Sequence, residues 1–263
     1  MGILNLTPDS FSDGGRFVSI ETACAHARAM NAEGADLIDI GGESTRPSAQ
    51  PVSEQEELDR VIPVIERLRS ELDIPLSVDT MKPAVMRAAQ AAGADLINDV
   101  HALQAPGALA AAASSNAAVC LMHMRGEPRT MQEAPIYADV VAEVCAFLQR
   151  RVQACVEAGI AADRILLDPG FGFGKRLTHN LQLLANLHAV VDLDFPVLVG
   201  LSRKSMLGQL CNAPVSERLA AGLAAATAAV LGGAAIIRTH DVRPTRDAVR
   251  VAAAVRLAKG RYI

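Results

Sequence analysis

The sequence has no tryptophan, two tyrosines and six phenylalanines, so aromatics make up only 3% of its 263 residues. Any core must be aliphatic, and hydrophobic residues at 51% are numerous enough to build a full one. A paired-cysteine signature is also missing. Cys24, Cys120, Cys145, Cys155 and Cys211 are dispersed and odd in number, without CxxC or a Cys/His cluster. That spacing indicates neither a zinc site nor a disulfide framework, and it fits a reducing cytoplasm. There is no basic stripe: 25 Lys and Arg stand against 29 Asp and Glu, spread along the chain, for a net charge of -4. The electrostatic footprint of a nucleic-acid-binding protein is therefore lacking. No basic segment followed by an apolar core opens the chain, so no signal peptide is expected. The longest alanine-rich stretch, 219–237, is broken by Gly222, Gly232 and Gly233. It reads as a buried helix plus a strand rather than a membrane span. Two phosphate-binding signatures fail as well. No GxGxxG follows the first strand. In the glycine-rich run from Pro169 to Arg176, proline stands where a P-loop has its first glycine, and arginine where Ser or Thr follows the lysine.

What is there is a repeated alternation. Short apolar runs at 2–6, 36–40, 75–78, 95–97, 117–122, 165–167, 196–199 and 235–237 read as buried strands. Between and after them, segments 21–33, 53–72, 82–92, 106–113, 137–158, 181–188, 216–231 and 244–259 carry helical spacing. Ser53 and Glu56 form a capping-box pattern, Pro83 sits in a first turn, and Gly34 and Gly93 stand where helices end. Eight strand–helix units of this length predict a single (β/α)8 TIM-barrel domain over residues 1–263, in the α/β class. A doubly wound open sheet is the alternative.

Polar or ionisable groups follow the apolar runs nearly every time: Asn5, the 41–46 loop, Asp79, Asn98, His123, Asp168, Ser202-Arg203-Lys204 and Arg238-Thr239-His240. In a barrel all of these converge on the C-terminal face, where active sites lie. Asp79, Asn98, Asp168 and Lys204 offer acceptors, an amide and a cation, a set suited to a flat heterocycle with a donor–donor edge. Asn5, Thr45, Arg46, Arg238 and His240 are rich in cations and hydrogen-bonding groups. An anionic group requires such partners, and the last helix adds its N-terminus. The alternate glycines between Asp168 and Lys175 allow a close backbone approach to a ligand. Plainer roles are expected elsewhere. Asp99 caps a turn and Lys175 is solvated. His123 is as much a supporting residue as a contact. His26, His179 and His188 stand away from the strand tips.

Several of these segments carry a family resemblance. Asn5-Leu6-Thr7-Pro8-Asp9-Ser10-Phe11-Ser12-Asp13-Gly14-Gly15 resembles the opening signature of the dihydropteroate synthases, and Gly41-Gly42-Glu43-Ser44-Thr45-Arg46-Pro47 their second. Ser77-Val78-Asp79-Thr80, Ile97-Asn98-Asp99, Met122-His123, Asp168-Pro169-Gly170-Phe171-Gly172-Phe173-Gly174-Lys175, Ser202-Arg203-Lys204 and Arg238-Thr239-His240-Asp241-Val242 are similar to the remaining blocks, in order. The resemblance implies a cytoplasmic homodimeric folate-pathway transferase on a (β/α)8 barrel. Such an enzyme joins 6-hydroxymethyl-7,8-dihydropterin diphosphate to p-aminobenzoate by diphosphate loss and attack of the aniline nitrogen. Mg²⁺ assists, and sulfonamides compete with p-aminobenzoate. By matching position, Asp79, Asn98, Asp168 and Lys204 hold the pterin. Asn5, Thr45, Arg46, Arg238 and His240 hold the diphosphate, with Asn5 also at Mg²⁺. Phe11, Arg46, Pro47, Phe173, Ser202 and Lys204 line the p-aminobenzoate pocket. Asp79, Lys204, Arg238 and His240 are the expected catalytic groups. The chain starts almost on its first strand, so the segment that usually precedes it, often a hairpin closing the barrel bottom, is expected either to be missing or to have been trimmed. Ser48 stands where glycine commonly follows Thr-Arg-Pro. A methyl-transferring pterin module and a non-catalytic pterin binder are the competing readings. The Ser-Thr-Arg-Pro, Ser-Arg-Lys and Arg-Thr-His blocks favour the synthase.

Overall fold

The computed structural model describes residues 1–6, 15–44, 50–126, 130–131 and 135–259. Along the chain lie β1 (Gly2–Asn5), α1 (Gly15–Ala32), β2 (Ile38–Gly41), α2 (Glu54–Glu71), β3 (Leu76–Asp79), α3 (Pro83–Ala91), β4 (Leu96–Asp99), α4 (Ala108–Ala113) and β5 (Ala118–Met122). After these come α5 (Val140–Glu157), β6 (Ile165–Asp168), α6 (Leu177–Ala185), α7 (His188–Val191), β7 (Leu198–Gly200), α8 (Ser205–Cys211), α9 (Leu219–Leu231), β8 (Ile236–Arg238) and α10 (Val242–Lys259). Strands β1 to β6 pair in sequence order, all parallel, and β7 pairs β8. Two single bridges complete the circle, Leu167 to Val197 and Gly2 to Thr239. The Ile3 N–H donates to the Thr239 carbonyl at 3.0 Å, and the Thr239 N–H to that of Met1 at 2.9 Å. The barrel is thus closed, and the open-sheet alternative falls.

The strands are short because each crosses the barrel wall once and side chains alternate across it. Outward residues such as Leu4, Ile38, Ile40, Val78, Ile97 and Leu121 pack against the helices in the main aliphatic core. Inward residues near the barrel bottom, Met1, Leu96, Cys120 and Leu198, form a small separate cluster. The lack of tryptophan is met by aliphatic side chains, with Phe171 as the one fully buried phenylalanine among the described residues.

Local signals placed most elements within a few residues. Ser53 caps α2, its Oγ accepting from the Glu56 N–H at 3.2 Å, while Glu54, Glu56 and Glu57 occupy the positive N-terminal turn. Val61, Val64, Ile65 and Leu68 form its buried face. Three boundaries differ from the sequence pattern. Helix α1 starts at Gly15, six residues before the expected 21. The expected helix at 181–188 starts instead at Leu177, where the His179 ring accepts the Arg176 N–H at 3.2 Å, and it breaks after Ala185 before the short α7. Helix α8, following Lys204 directly, had no periodic signal of its own and was not expected.

Candidate active site

The register of the strands sets the site. Asn5 lies opposite Gly41, Gly41 opposite Asp79, and Asp79 opposite Asn98, so these residues share one level at the C-terminal rim. Across β7 and β8, Gly200 lies opposite Arg238. One level deeper is Asp39, opposite Ser77 on β3 and fully buried. Its Oδ1 accepts from Ser77 Oγ at 2.5 Å, and its Oδ2 from Asn98 Nδ2 at 3.1 Å and Arg238 Nε at 2.6 Å. Arg238 Nη2 reaches Asp79 Oδ2 at 2.8 Å. Because a carboxylate only accepts here, Asp39 fixes the amide of Asn98 with its nitrogen inward. Asn98 Oδ1 is buried and has no protein partner. A buried acceptor left unpaired at a rim of acids and amides is an invitation to a ligand N–H. Sequence reasoning passed over Asp39. The period-2 alternation contains it, since Asp39 is two residues before Gly41 as Ser77 is before Asp79. Nothing local separates an inward acid from a strand's solvated edge.

Burial raises the Asp79 carboxyl to about 7. Arg238 opposes that shift and Asp39 reinforces it. For Arg238, burial works against the charge, but Asp39 and Asp79 outweigh it and push the guanidinium above its ordinary range. Asp168, at the end of β6, is also buried and raised by desolvation, with Lys204 as the main opposing charge. Its Oδ1 accepts the Gly170 N–H at 2.7 Å, which turns the chain back at once. Lys204 approaches from β7, donates to the Phe171 carbonyl, and lies 4.6 Å from the centre of the Phe173 ring. Burial lowers its ammonium to about 8, against the pull of Asp168.

The loop after Asp168 differs from its expected use. Its glycines serve packing within the protein. A Cβ on Gly170 (φ +68°) would fall 1.9 Å from the His123 carbonyl oxygen, and one on Gly174 (φ +61°) 2.3 Å from that of Arg125. Lys175 is a correction too: it is 3% exposed, not solvated. Asp99 does cap a turn, its two oxygens accepting from the His101 and Leu103 N–H groups at 2.7 and 2.8 Å. His123 supports from behind, stacked edge-on against Phe147 and held neutral by burial and by Lys175.

At the opposite side of the mouth, His240 Nδ1 and the His240 N–H both lie against Ser202 Oγ, at 3.0 and 3.2 Å. Ser202 is thereby placed beside His240. Arg203 forms a two-pronged pair with Asp241 at 2.6 and 3.2 Å, which joins the β7 loop to the start of α10. At the base of the second loop, Lys82 bridges Glu43 at 2.5 Å and the fully buried Glu57. The expected residues Phe11, Thr45, Arg46 and Pro47, together with Ser48, lie outside the described residues. Asn5, Asp79, Asn98, Asp168, Phe173, Ser202, Lys204, Arg238 and His240 all stand at the C-terminal ends of the strands or in the loops that leave them.

A parallel barrel with acids, an amide and cations gathered at one mouth matches what comparison with known proteins returns. The family model described as pterin binding enzyme matches residues 1–240, and the chain belongs to that family. It is 54% identical over 259 residues to the dihydropteroate synthase of Escherichia coli, covering 98% of this chain and 92% of that one. A Yersinia pestis dihydropteroate synthase in complex with a sulfonamide drug superposes with a TM-score of 0.93 at 54% identity, covering 98% and 94%. The Xanthomonas albilineans dihydropteroate synthase superposes with a TM-score of 0.91 at 55% identity in a structure with 4-aminobenzoic acid, covering 97% and 92%. A second structure of that enzyme, with 7,8-dihydropteroate, gives 0.88 at 52%, again covering 97% and 92%. Within the pterin-binding enzymes the chain's place is among the dihydropteroate synthases, which are transferases of folate biosynthesis.

Proposed function

We propose a division of labour at this barrel mouth for dihydropteroate synthesis, the joining of 6-hydroxymethyl-7,8-dihydropterin diphosphate to p-aminobenzoate. The observation that carries it is the buried, unpartnered Asn98 Oδ1 between Asp79 and the Asp39–Arg238 pair. Asp79, Asn98, Asp168 and Lys204 hold the pterin. Asp168 accepts the paired N–H donors of the amino-pyrimidinone edge, each charge-assisted bond contributing about 1.5–3 kcal/mol. Breaking the C–O bond leaves negative charge on diphosphate and positive charge on the pterin methylene. Arg238 has five N–H groups, of which the bonds to Asp39 and Asp79 use two, so three remain for an anion. His240 and Asn5 share that load, and Asp79 stabilises the cationic pterin. The aniline nitrogen attacks as a neutral nucleophile, so no strong base is needed. Phe173 and Lys204 wall the p-aminobenzoate side.

Mg²⁺ belongs to the same reading. Asn5 supplies one amide oxygen at the end of β1, and among the described residues no group of three or more His, Cys, Asp or Glu gathers as a metal site. That donor set suits an ion held mainly by diphosphate oxygens and water. When bound, it neutralises charge on the leaving diphosphate. We read the protein as a cytoplasmic homodimer. Five free cysteines suit a reducing compartment. Val251 and Val255, one turn apart on α10 and 66% and 46% exposed, offer apolar surface to a second copy. Among the described residues no helix is long and apolar enough to cross a membrane.

The test is diphosphate release from the pterin diphosphate and p-aminobenzoate, with and without Mg²⁺. Mg²⁺-dependent dihydropteroate formation is expected, and its absence would overturn the reading. Sedimentation of the protein and of Val251→Asp reports on the dimer.

A further inference from the structure

The loop between β6 and α6 is held from both sides by residues that no step above uses. From inside, Lys175 turns back beneath it. Its Nζ lies 2.9 Å from the Gly170 carbonyl, 3.1 Å from that of Phe173, 3.3 Å from that of His123 and 2.9 Å from His123 Nδ1. Four acceptors surround the amine, so each of its N–H bonds has a partner, while burial lowers its proton affinity well below that of an ordinary lysine. From outside, Asn180 on α6, 2% exposed, takes the loop's other edge. Its Oδ1 accepts the Gly172 N–H at 2.7 Å, and its Nδ2 donates to the carbonyls of Lys175 and Arg176 at 3.2 and 2.8 Å. With the Gly170 and Phe173 carbonyls turned toward Lys175, the intervening Phe171 carbonyl is the one that receives Lys204. The Phe173 ring lies against the same amine.

We propose that Lys175 and Asn180 are positioning residues for the transfer reaction. Together they shape the β6–α6 loop so that the Phe171 carbonyl and the Phe173 ring fix the Lys204 amine at the site. The proposal rests on the assignment of Phe173 and Lys204 to the p-aminobenzoate side. Asp168 stands on β6 and meets the clamped loop only through the Gly170 N–H, whereas Lys204 faces both substrates, so the clamp bears directly on the p-aminobenzoate wall and on the pterin only through those two residues. Loosening it disturbs the p-aminobenzoate wall most, while Asp79 and Asn98, held on their own strands, keep the pterin.

Asn180→Ala is the informative variant, because it removes the Oδ1 acceptor of the Gly172 N–H without changing a charge, and Lys175→Met is its companion. In both, the KM for p-aminobenzoate should rise about tenfold and kcat should fall, while the KM for the pterin diphosphate, which Asp79, Asn98 and Asp168 hold besides Lys204, rises less than about threefold. A second readout needs no substrate: the pH midpoint of Lys204 modification by an amine-reactive reagent, read by mass spectrometry. The titratable groups around that amine are Asp168 on β6 and Arg238 on β8, with Lys175, whose own pKa burial lowers, beyond the loop. Asn180→Ala alters none of them. In that variant the midpoint should climb from about 8 toward that of a solvated lysine, as the amine gains water. If activity falls only with the folded fraction, and both KM values and the Lys204 midpoint stay put, the positioning role is refuted. Phe173→Ala separates the two layers of argument. A shifted Lys204 midpoint in Asn180→Ala, with p-aminobenzoate KM unmoved by Phe173→Ala, upholds the clamp and overturns the pocket assignment beneath it.

Discussion

Asp168 and Asp39 are both buried acids on barrel strands, yet they answer to different partners. Asp168 has one oxygen engaged by the Gly170 N–H and faces Lys204, so its chemistry is directed outward. Asp168→Asn keeps the shape but replaces one acceptor oxygen by a donor against the pterin edge. Pterin affinity should fall by about 10- to 100-fold in a calorimetric titration, matching the loss of one or two charge-assisted bonds. Near-parent affinity would remove Asp168 from the site. Asp39 faces Ser77, Asn98 and Arg238, all of them protein. Asp39→Ala leaves a guanidinium half-held and frees the Asn98 amide to rotate. It should lower stability by about 3 kcal/mol in urea unfolding and weaken pterin binding as well. Loss of stability with unchanged pterin affinity would show that Asn98 keeps its orientation without it. The first acid was visible in the chain, since it ends an apolar run before Pro-Gly. The second was not, because its partners lie 38, 59 and 199 residues away.

Among the elements, the β6–α6 loop shows what a motif means once it is folded. Glycines at alternate positions suggested close approach to a ligand. The close approach is to the loop that follows β5. A methyl group on Gly170 would meet the His123 carbonyl oxygen at 1.9 Å, and the positive φ adds strain. Gly159, after α5, also has a positive φ (+91°), but nothing lies within 4 Å of its added Cβ. Gly159→Ala should therefore cost only about 1 kcal/mol of backbone strain, whereas Gly170→Ala should fail to give soluble, active protein. Similar melting temperatures for the two would contradict the packing described. Most helices were legible from caps and periodicity, α2 through Ser53 and its three glutamates above all. Helix α8 was not, since its seven residues are held by the Lys204 turn and the neighbouring helices rather than by a pattern of their own.

For the molecule as a whole, burial at the barrel mouth moves an acid and a base toward neutral pH from opposite sides. Burial raises Asp79 from 3.8 to about 7, so the folded state holds its proton longer than the unfolded chain does. Ionising Asp79 thus costs stability as pH rises across that interval, while its proposed role requires the ionised form. Lys204 must keep its proton, and burial lets it go near 8. The pH profile of kcat/KM should be a narrow bell with limbs near these values, and Lys204→Arg should carry the alkaline limb upward. A flat profile from about pH 6 to about pH 9 would mean that neither group governs the rate.

Read alone, the chain determined the barrel and the rim. Eight apolar runs alternating with helical segments allow few other folds, and the polar residue at each strand end follows from local order along the backbone. It also identified the family, because its motif blocks recur in register. Only the closed tertiary structure decided that Arg238 sits between Asp39 and Asp79, and that Ser202 belongs beside His240. It likewise showed that Lys175 is buried beneath the loop it follows. Those contacts are set by strand register around a closed ring and by burial. Both arise from residues far apart in sequence, and no local pattern encodes either.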